Sequence, residues 1–150
     1  MEIRKVEIQD IKNNEKELKI LFKEMLELKF GKCESKIEEV YKNMEKFIED
    51  GSAIIIGAFE DNRILGFIWC YEIRKKTYHI NYFAVDENYR SLGIGQKLLD
   101  QLYEIAKENK IELLELLVEA SNSKAIKKYK NNEFTEKYIK MEKQIGECND

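Results

Sequence analysis

Hydrophobic positions change their period several times along the chain, and each change marks an element. Ile3, Val6 and Ile8 stand among Glu2, Arg4, Lys5 and Glu7, so residues 2–9 show roughly the two-residue alternation of a strand with one buried face. Asp10 can cap the next element. Ile11, Leu18, Leu21, Phe22, Met25, Leu26 and Leu28 recur at three- and four-residue intervals, which predicts one amphipathic helix over 11–28, ended by Gly31. Ser35 and Glu38 form the sequence of a capping box, and Ile37, Val40, Tyr41, Met44, Phe47 and Ile48 give a second helical stripe up to Gly51. Ala53–Phe59 and Ile64–Ile73 are β-branched and aromatic runs around a short polar turn, Glu60-Asp61-Asn62-Arg63, and so predict a β-hairpin. Thr77–Val85 continues it as an antiparallel meander. Helical spacing returns over 94–109 through Leu98, Leu99, Leu102, Tyr103, Ile105 and Ala106. The run Leu113–Val118 then suits a strand buried on both faces. A strand, crossover helix and strand of this kind run parallel and right-handed. Asn122 can cap a helix to about Lys130, Thr135–Gln144 reads as a last strand, and residues 146–150 read as a frayed tail.

The predicted order is β-α-α-β-β-β-α-β-α-β, an α+β unit with no repeat, linker or low-complexity block, so residues 1–145 read as a single domain. The chain has 150 residues, and a domain of this size buries roughly 68–70% of its unfolded surface. Charge is abundant but nearly balanced, with 26 Lys and Arg against 29 Asp and Glu and a net charge of −3. That lacks the basic excess of a generic nucleic-acid binder, so no nucleic-acid partner is expected. No apolar run approaches the ~18 residues that span a bilayer, so no membrane partner is expected either. Met1-Glu2-Ile3-Arg4-Lys5 has no signal-peptide pattern. The 3 cysteines, Cys33, Cys70 and Cys148, fit neither a disulfide framework nor metal-ligand spacing. Reduced thiols and a cytoplasmic location are expected, with no metal. Proline is absent and only 7 glycines punctuate the chain, so their positions carry information.

Two of them, Gly93 and Gly95, stand at the entrance of the helix over 94–109. Amides there point outward unpaired at the positive end of the helix dipole, glycine lets a phosphate come close, and Arg90 adds a charge nearby. The segment Arg90, Ser91, Leu92, Gly93, Ile94, Gly95, Gln96, Lys97 can therefore cradle a diphosphate, although an ordinary strand-to-helix loop would carry the same glycines. A P-loop is excluded because Gln96 comes directly after Gly95. A dinucleotide fingerprint is disfavoured because Leu98 stands where its third glycine belongs, although Glu115 and Glu119 fall about where a ribose-binding acid would.

Arg90-x-x-Gly93-x-Gly95 after Tyr82-Phe83-Ala84-Val85 resembles the acyl-CoA signature of the GNAT superfamily of N-acyltransferases. Asn122-x-x-Ala125-x-x-x-Tyr129-x-x-Asn132-Glu133-Phe134 is similar to that family's second block, with Glu133 in place of its usual glycine. The resemblance implies a GNAT-like fold: a central mixed, mostly antiparallel sheet flanked by about four helices. It implies acetyl-CoA as cosubstrate, its diphosphate on the amides of about 92–97 and its pantetheine arm along the backbone of Phe83, Ala84 and Val85. Asn122 would meet an amide of that arm, and Tyr129 would serve as general acid at the sulfur. His79, the only histidine, stands where many members carry a glutamate base, and Glu119 is the second choice. Structural roles are open for the same residues: Tyr129 as core, Asn122 as a helix cap, His79 as an ordinary strand residue.

Lys124, Lys127, Lys128 and Lys130 make the last helix basic on its outer side, as a solvated face or, at Lys124 or Lys128, as a contact to the 3′-phosphate of CoA. Trp69, Tyr71, Tyr78 and Tyr82 are candidates either for an acceptor pocket or for core. The activity implied is acetyl transfer to a primary amine of a small molecule or protein. A non-catalytic acyl-CoA-binding or regulatory domain is the alternative, favoured by absence of the usual glutamate and opposed by Tyr129. Dimers are common among such proteins, so a homodimer is left open.

Overall fold

The computed structural model describes residues 1–30 and 34–147. In chain order it contains β1 (Glu2–Lys5), α1 (Ile8–Asn13), α2 (Glu15–Phe30), α3 (Glu34–Glu49), β2 (Ala53–Glu60), β3 (Arg63–Arg74) and β4 (Thr77–Val85). A 3₁₀ turn over Glu87–Tyr89 leads into α4 (Ile94–Glu108), β5 (Leu113–Leu116) and α5 (Ser123–Asn131). The five strands lie side by side in sequence order. β1 to β4 pair antiparallel, and β4 with β5 parallel. The parallel pair is what the crossover through α4 demands.

Alternation along β2 and β3 sorts the apolar residues into two cores. Ile55, Phe59, Ile64, Phe67 and Trp69 face one side and pack on Ile11, Leu18, Phe22 and Met44 of the first three helices. Ile56, Ala58, Leu65, Ile68 and Cys70 face the other and pack on Ile94, Leu98, Leu99 and Leu102 of α4. Both faces being covered explains the near-continuous apolar runs of β2 and β3. The hairpin between them turns on Asp61 and Asn62, both left-handed at φ 49° and 66°, as a two-residue turn with matching twist requires.

Several expectations change. The helix predicted over 11–28 is two helices, because the chain breaks at Asn14, whose buried side chain has other work. Its Nδ2 donates to the carbonyls of Asp10 (2.9 Å) and Asn62 (3.0 Å), and its Oδ1 accepts from Ile64 N (2.9 Å). Asp10 is correspondingly not the cap but the third residue of α1. It accepts from Glu7 N (2.8 Å) and is held by both terminal guanidinium nitrogens of Arg4. Ser35 lies inside α3 rather than capping it, and Glu38 pairs with Lys19 (2.5 Å) instead of closing a box. Gly31 and Cys33 lie outside the described residues, as does Cys148.

β5 is an edge strand, not one buried on both faces: Leu114 and Leu116 pack against the α4-side core, while Leu113 is 53% exposed. The last expected strand, Thr135–Gln144, is not formed. A strand exists only where a neighbouring backbone meets it, and residues 135–147 lie exposed beyond the body of the chain. Among the described residues, five α-helices rather than about four therefore flank five strands rather than six.

Candidate active site

Where β4 leaves β5, the sheet opens. The parallel pairing runs only from Thr77–Leu113 to Ile80–Leu116. A bulge at Asn81 lets Ile80 and Tyr82 oppose the successive residues Cys70 and Trp69 of β3, which re-aims the rest of β4. From Asn81 to Val85 the β5-facing edge of β4 has no strand partner among the described residues. The Asn81 Oδ1 is buried there without a hydrogen-bond partner. The backbone of Phe83, Ala84 and Val85, expected to hold a pantetheine arm, thus offers an edge without a strand partner, although the Val85 carbonyl there accepts from Arg90 Nε (3.2 Å); such an edge is the kind of surface an extended amide-bearing chain can pair with.

The α4 N-terminus comes directly after it. The Asp86 carboxylate accepts from Asn88 N (2.9 Å) to start the 3₁₀ turn, and Ser91 (φ 66°) and Gly93 (φ 79°) then place two left-handed residues within three positions. This reverses the chain ahead of the helix. Gly93 caps α4 with no side-chain hydrogen bond, so the first-turn N–H groups have no capping side chain. Nothing within 4 Å crowds the outer side of Gly93. At Gly95 the closest group to an added Cβ would be the ammonium of Lys128, then Lys128 Cε and Phe83 Cζ at 3.5 Å.

Lys128 is therefore not on the solvated face where its neighbours stand. Lys124, Lys127 and Lys130 are exposed, whereas Lys128 turns inward, its Nζ 4.6 Å from the centroid of Phe83. Burial and then Lys124 push its pKa down from the ordinary lysine value. Among the described residues no carboxylate forms a salt bridge with it. A cation at the positive end of a helix is unfavourable until an anion arrives. Arg90, the charge expected beside the cradle, is directed elsewhere: its Nη2 meets Glu24 of α2 (2.9 Å) and its Nε donates to the Val85 carbonyl (3.2 Å). It braces the loop against α2. Gln96 likewise acts as a bracket, exchanging amide hydrogen bonds with Asn132 (2.9 and 3.1 Å), whose Oδ1 also accepts from the Tyr103 hydroxyl (3.0 Å). These bonds dock α5 on α4 and so set the positions of Lys128 and Tyr129.

The Asn122 side chain accepts from Ala125 N (3.1 Å), so this oxygen serves as the cap of α5. Tyr129, seven residues on, packs edge-on against Phe134 with centroids 5.6 Å apart. Burial, with a smaller contribution from Tyr103, pushes its pKa to about 12. The phenol keeps its proton at neutral pH and is a hydrogen-bond donor rather than a strong acid.

His79 lies on the opposite face of the sheet, in the short stretch where β4 still pairs with β5. Its Cα partner in β5 is Glu115, and its Nδ1 lies 2.9 Å from Glu115 Oε2. Arg74 holds the other carboxylate oxygen. The His79 bond first, and Arg74 after it, keep the Glu115 pKa below its ordinary value, so it is ionised at neutral pH. An anion at Nδ1 holds that nitrogen as N–H and leaves Nε2 free to accept a proton. Tyr71 stacks obliquely on the imidazole, centroids 5.6 Å apart. Nothing in the local sequence marks Glu115 for this role; its signal, pairing with His79, exists only once the parallel register is known. Glu119 is exposed beyond β5 and has no side-chain hydrogen bond or salt bridge among the described residues. No contact joins His79 to Tyr129: one flanks the opening from the α1–α3 side, the other from the α4 side. Of the aromatic candidates, Trp69 and Tyr78 are core at 2% and 3% exposure, while Tyr82 packs on Trp69 half-buried.

Residues 18–134, more than three quarters of the chain, match the model of the acetyltransferase (GNAT) family. The chain belongs to this family. Acetyltransferase PseH of Campylobacter jejuni is 32% identical over 99 residues, covering 65% of this chain and 61% of that protein, so the match spans less than two thirds of the curated relative. Among solved structures, the PaiA N-acetyltransferase of Thermoplasma acidophilum in complex with coenzyme A has a TM-score of 0.71 at 23% identity, covering 87% of each chain. An aminoglycoside acetyltransferase from an uncultured soil metagenomic sample has a TM-score of 0.73 at 20% identity, covering 97% of this chain and 96% of that one. These likenesses show that the split sheet with α4 at its mouth is the GNAT fold. Among the described residues no helix is long and apolar enough to cross a membrane, and no cluster of side chains could hold a metal ion.

Proposed function

We propose that this protein transfers the acetyl group of acetyl-CoA directly to a primary amine, in the cytoplasm. The observation that carries the reading is the uncapped α4 N-terminus beside the free edge of Asn81–Val85, with a lysine that lacks a carboxylate partner lodged at Gly95. A helix N-terminus without a capping side chain, with glycines at its entrance and a cation beside it, fits a diphosphate, and the open strand edge fits the amides of a pantetheine arm. Acetyl-CoA supplies an activated thioester carbonyl. His79 Nε2 takes a proton from the attacking amine as the C–N bond forms and the C–S bond breaks, and Glu115 stabilises the resulting imidazolium. The Tyr129 hydroxyl donates a hydrogen bond to the departing thiolate. Its raised pKa makes that stabilisation, rather than complete proton donation, its contribution. Glu119 has no comparable orienting partner and stands second to His79 as base. The acceptor enters from the α1–α3 side, where Tyr71 and His79 lie, and is a small molecule or protein carrying an amine.

Calorimetry with acetyl-CoA, ATP and NAD tests the cosubstrate: micromolar binding of acetyl-CoA alone is expected, and its absence would end the proposal. Thiol release across a panel of amines then separates an enzyme from a domain that only binds acyl-CoA. Tyr129→Phe is expected to lower kcat about tenfold, the value of one hydrogen bond to a developing charge, with little change in acetyl-CoA affinity. Lys128→Met is expected to weaken CoA about tenfold, the loss of one charge-assisted contact, and to leave pantetheine unaffected. Equal loss for both ligands would show that the lysine shapes the fold rather than meeting phosphate.

A further inference from the structure

The bulge on β4 holds a polar residue where stability alone would not put one. Strand interiors favour β-branched and aromatic side chains and are depleted in asparagine. Yet β4 runs Thr77-Tyr78-His79-Ile80-Asn81-Tyr82-Phe83-Ala84-Val85, with Asn81 at its centre. Ile80 opposes Cys70 and Tyr82 opposes Trp69, so Asn81 is the extra residue, with no opposite number on β3. Toward β5 it is the first residue past the last pair, Ile80 with Leu116. Asn81 is half-buried as a residue, but its Oδ1 is buried and accepts no hydrogen bond among the described residues. A carbonyl oxygen that loses water and gains no donor costs stability, and such an orphan needs a reason. This oxygen can only accept, so what it lacks is an N–H or O–H donor.

We infer that the missing donor is the amine being acetylated: Asn81 Oδ1 accepts the N–H that His79 does not take, which orients the nucleophile and selects primary amines. The inference rests on the acetyl transfer proposed above. The α4 N-terminus lies beyond Val85, so an acyl-CoA held there by its diphosphate, with its arm along Phe83 to Val85, directs its thioester back along β4 toward Asn81. His79 is two residues further on. Along the strand, Asn81 thus stands between the edge that fits the arm and the proposed base. A thioester has no N–H or O–H to offer, so the donor arrives with the acceptor. A neutral primary amine brings one lone pair and two N–H groups. The lone pair forms the C–N bond, one proton passes to His79 Nε2, and the C–S bond breaks with its electron pair leaving on the thiolate. The second N–H remains as the N–H of the product amide. Asn81 Oδ1 accepts from it throughout and neither gains nor loses a proton, so its contribution is to hold the lone pair in line. A secondary amine or an alcohol carries one hydrogen on its nucleophilic atom, and that one goes to His79. The oxygen then stays orphaned, which penalises such acceptors.

Asn81→Leu, similar in shape but without hydrogen-bonding groups, tests this through three readouts. Without ligands, the variant is expected to melt about 2–4 °C above the unaltered protein, because the orphaned oxygen is gone. Its kcat/KM should fall about tenfold for the amine of highest turnover in the panel and change by less than about twofold for that amine's N-methyl derivative. Its affinity for acetyl-CoA in calorimetry should stay within about twofold. A lower melting temperature, or a variant that cannot be obtained folded, shows that the bulge itself needs asparagine and overturns the inference. Weakened acetyl-CoA binding gives the oxygen to an amide of the arm and overturns it too, as does an equal loss for both amines. The unaltered protein supplies an independent reading: it should favour the primary amine over its N-methyl derivative at least about tenfold, and parity sinks the inference whatever the variant does. Failure of every amine to release thiol is a different result, which removes the acetyl-transfer reading itself, whereas release with unchanged ratios in the variant removes Asn81 alone.

Discussion

His79→Ala is expected to lower kcat by about 10²–10³-fold while acetyl-CoA affinity stays within about twofold, because general-base catalysis contributes on this order and the imidazole lies on the face of the sheet away from Lys128 and Tyr129. The pH profile carries the diagnosis. An imidazole base works only when neutral, so the wild-type rate falls toward acid with a single ionisation, and the variant should lose that limb. Glu115→Gln sharpens the distinction. Removal of the carboxylate should reduce kcat about tenfold, since the amide no longer stabilises the charge that forms on the imidazole. Glu115 itself is ionised at neutral pH, because the His79 bond and Arg74 keep its pKa below the ordinary carboxylate value. An acid limb unchanged in His79→Ala would remove this residue from the mechanism and bring Glu119 forward.

Gly95→Val is expected to weaken acetyl-CoA about 100-fold without unfolding the protein, a loss on the scale of two charge-assisted hydrogen bonds. The nearest atoms to an added Cβ are the movable end of the Lys128 side chain and the edge of the Phe83 ring at 3.5 Å, so the free protein can adapt. A phosphate oxygen cannot adapt. It must come within about 3 Å of the α4 amides to bond them, and a branched side chain at this position stands in that path. Gly95→Ala is the graded control, since a single methyl meets only the movable end of Lys128 and the edge of the Phe83 ring: its loss should be a few-fold at most. Thermal melts of the two variants within a few degrees of wild type, together with the split in affinity, would locate the diphosphate at this helix end. A Gly95→Val variant that binds acetyl-CoA normally would place it elsewhere. Gly93 is a less clean probe, because its φ of 79° makes any side chain strain the backbone before a ligand is considered.

Much of this architecture is legible in the residue pattern, and the exceptions have specific causes. The β2–β3 hairpin, the β4 meander and α4 are read correctly because each buries a long apolar run with a clear period and ends at a polar turn or glycine. The helix break at Asn14 is hidden from the sequence because its reason is tertiary: the side chain serves the β2–β3 turn, about 50 residues away. Local apolarity alone gives β5 two buried faces, whereas burial depends on what lies alongside, and among the described residues no strand does on its outer edge. At the candidate site, Gly93, Gly95 and Tyr129 can be found by spacing within one element or across a short loop. The partnership of His79 and Glu115 cannot.

Element types, the glycine cradle and the identity of the titratable groups near it come from the order of residues alone, because period, capping and glycine placement act through neighbours a few positions apart. Which charge does what is a matter of packing. Arg90 is drawn to Glu24, Lys128 turns in against Gly95, Glu115 meets His79 through the parallel register, and burial moves Tyr129 upward. Each of these depends on residues brought together across the sheet or between helices. Their distances are set by side-chain packing and strand register, which no local pattern encodes.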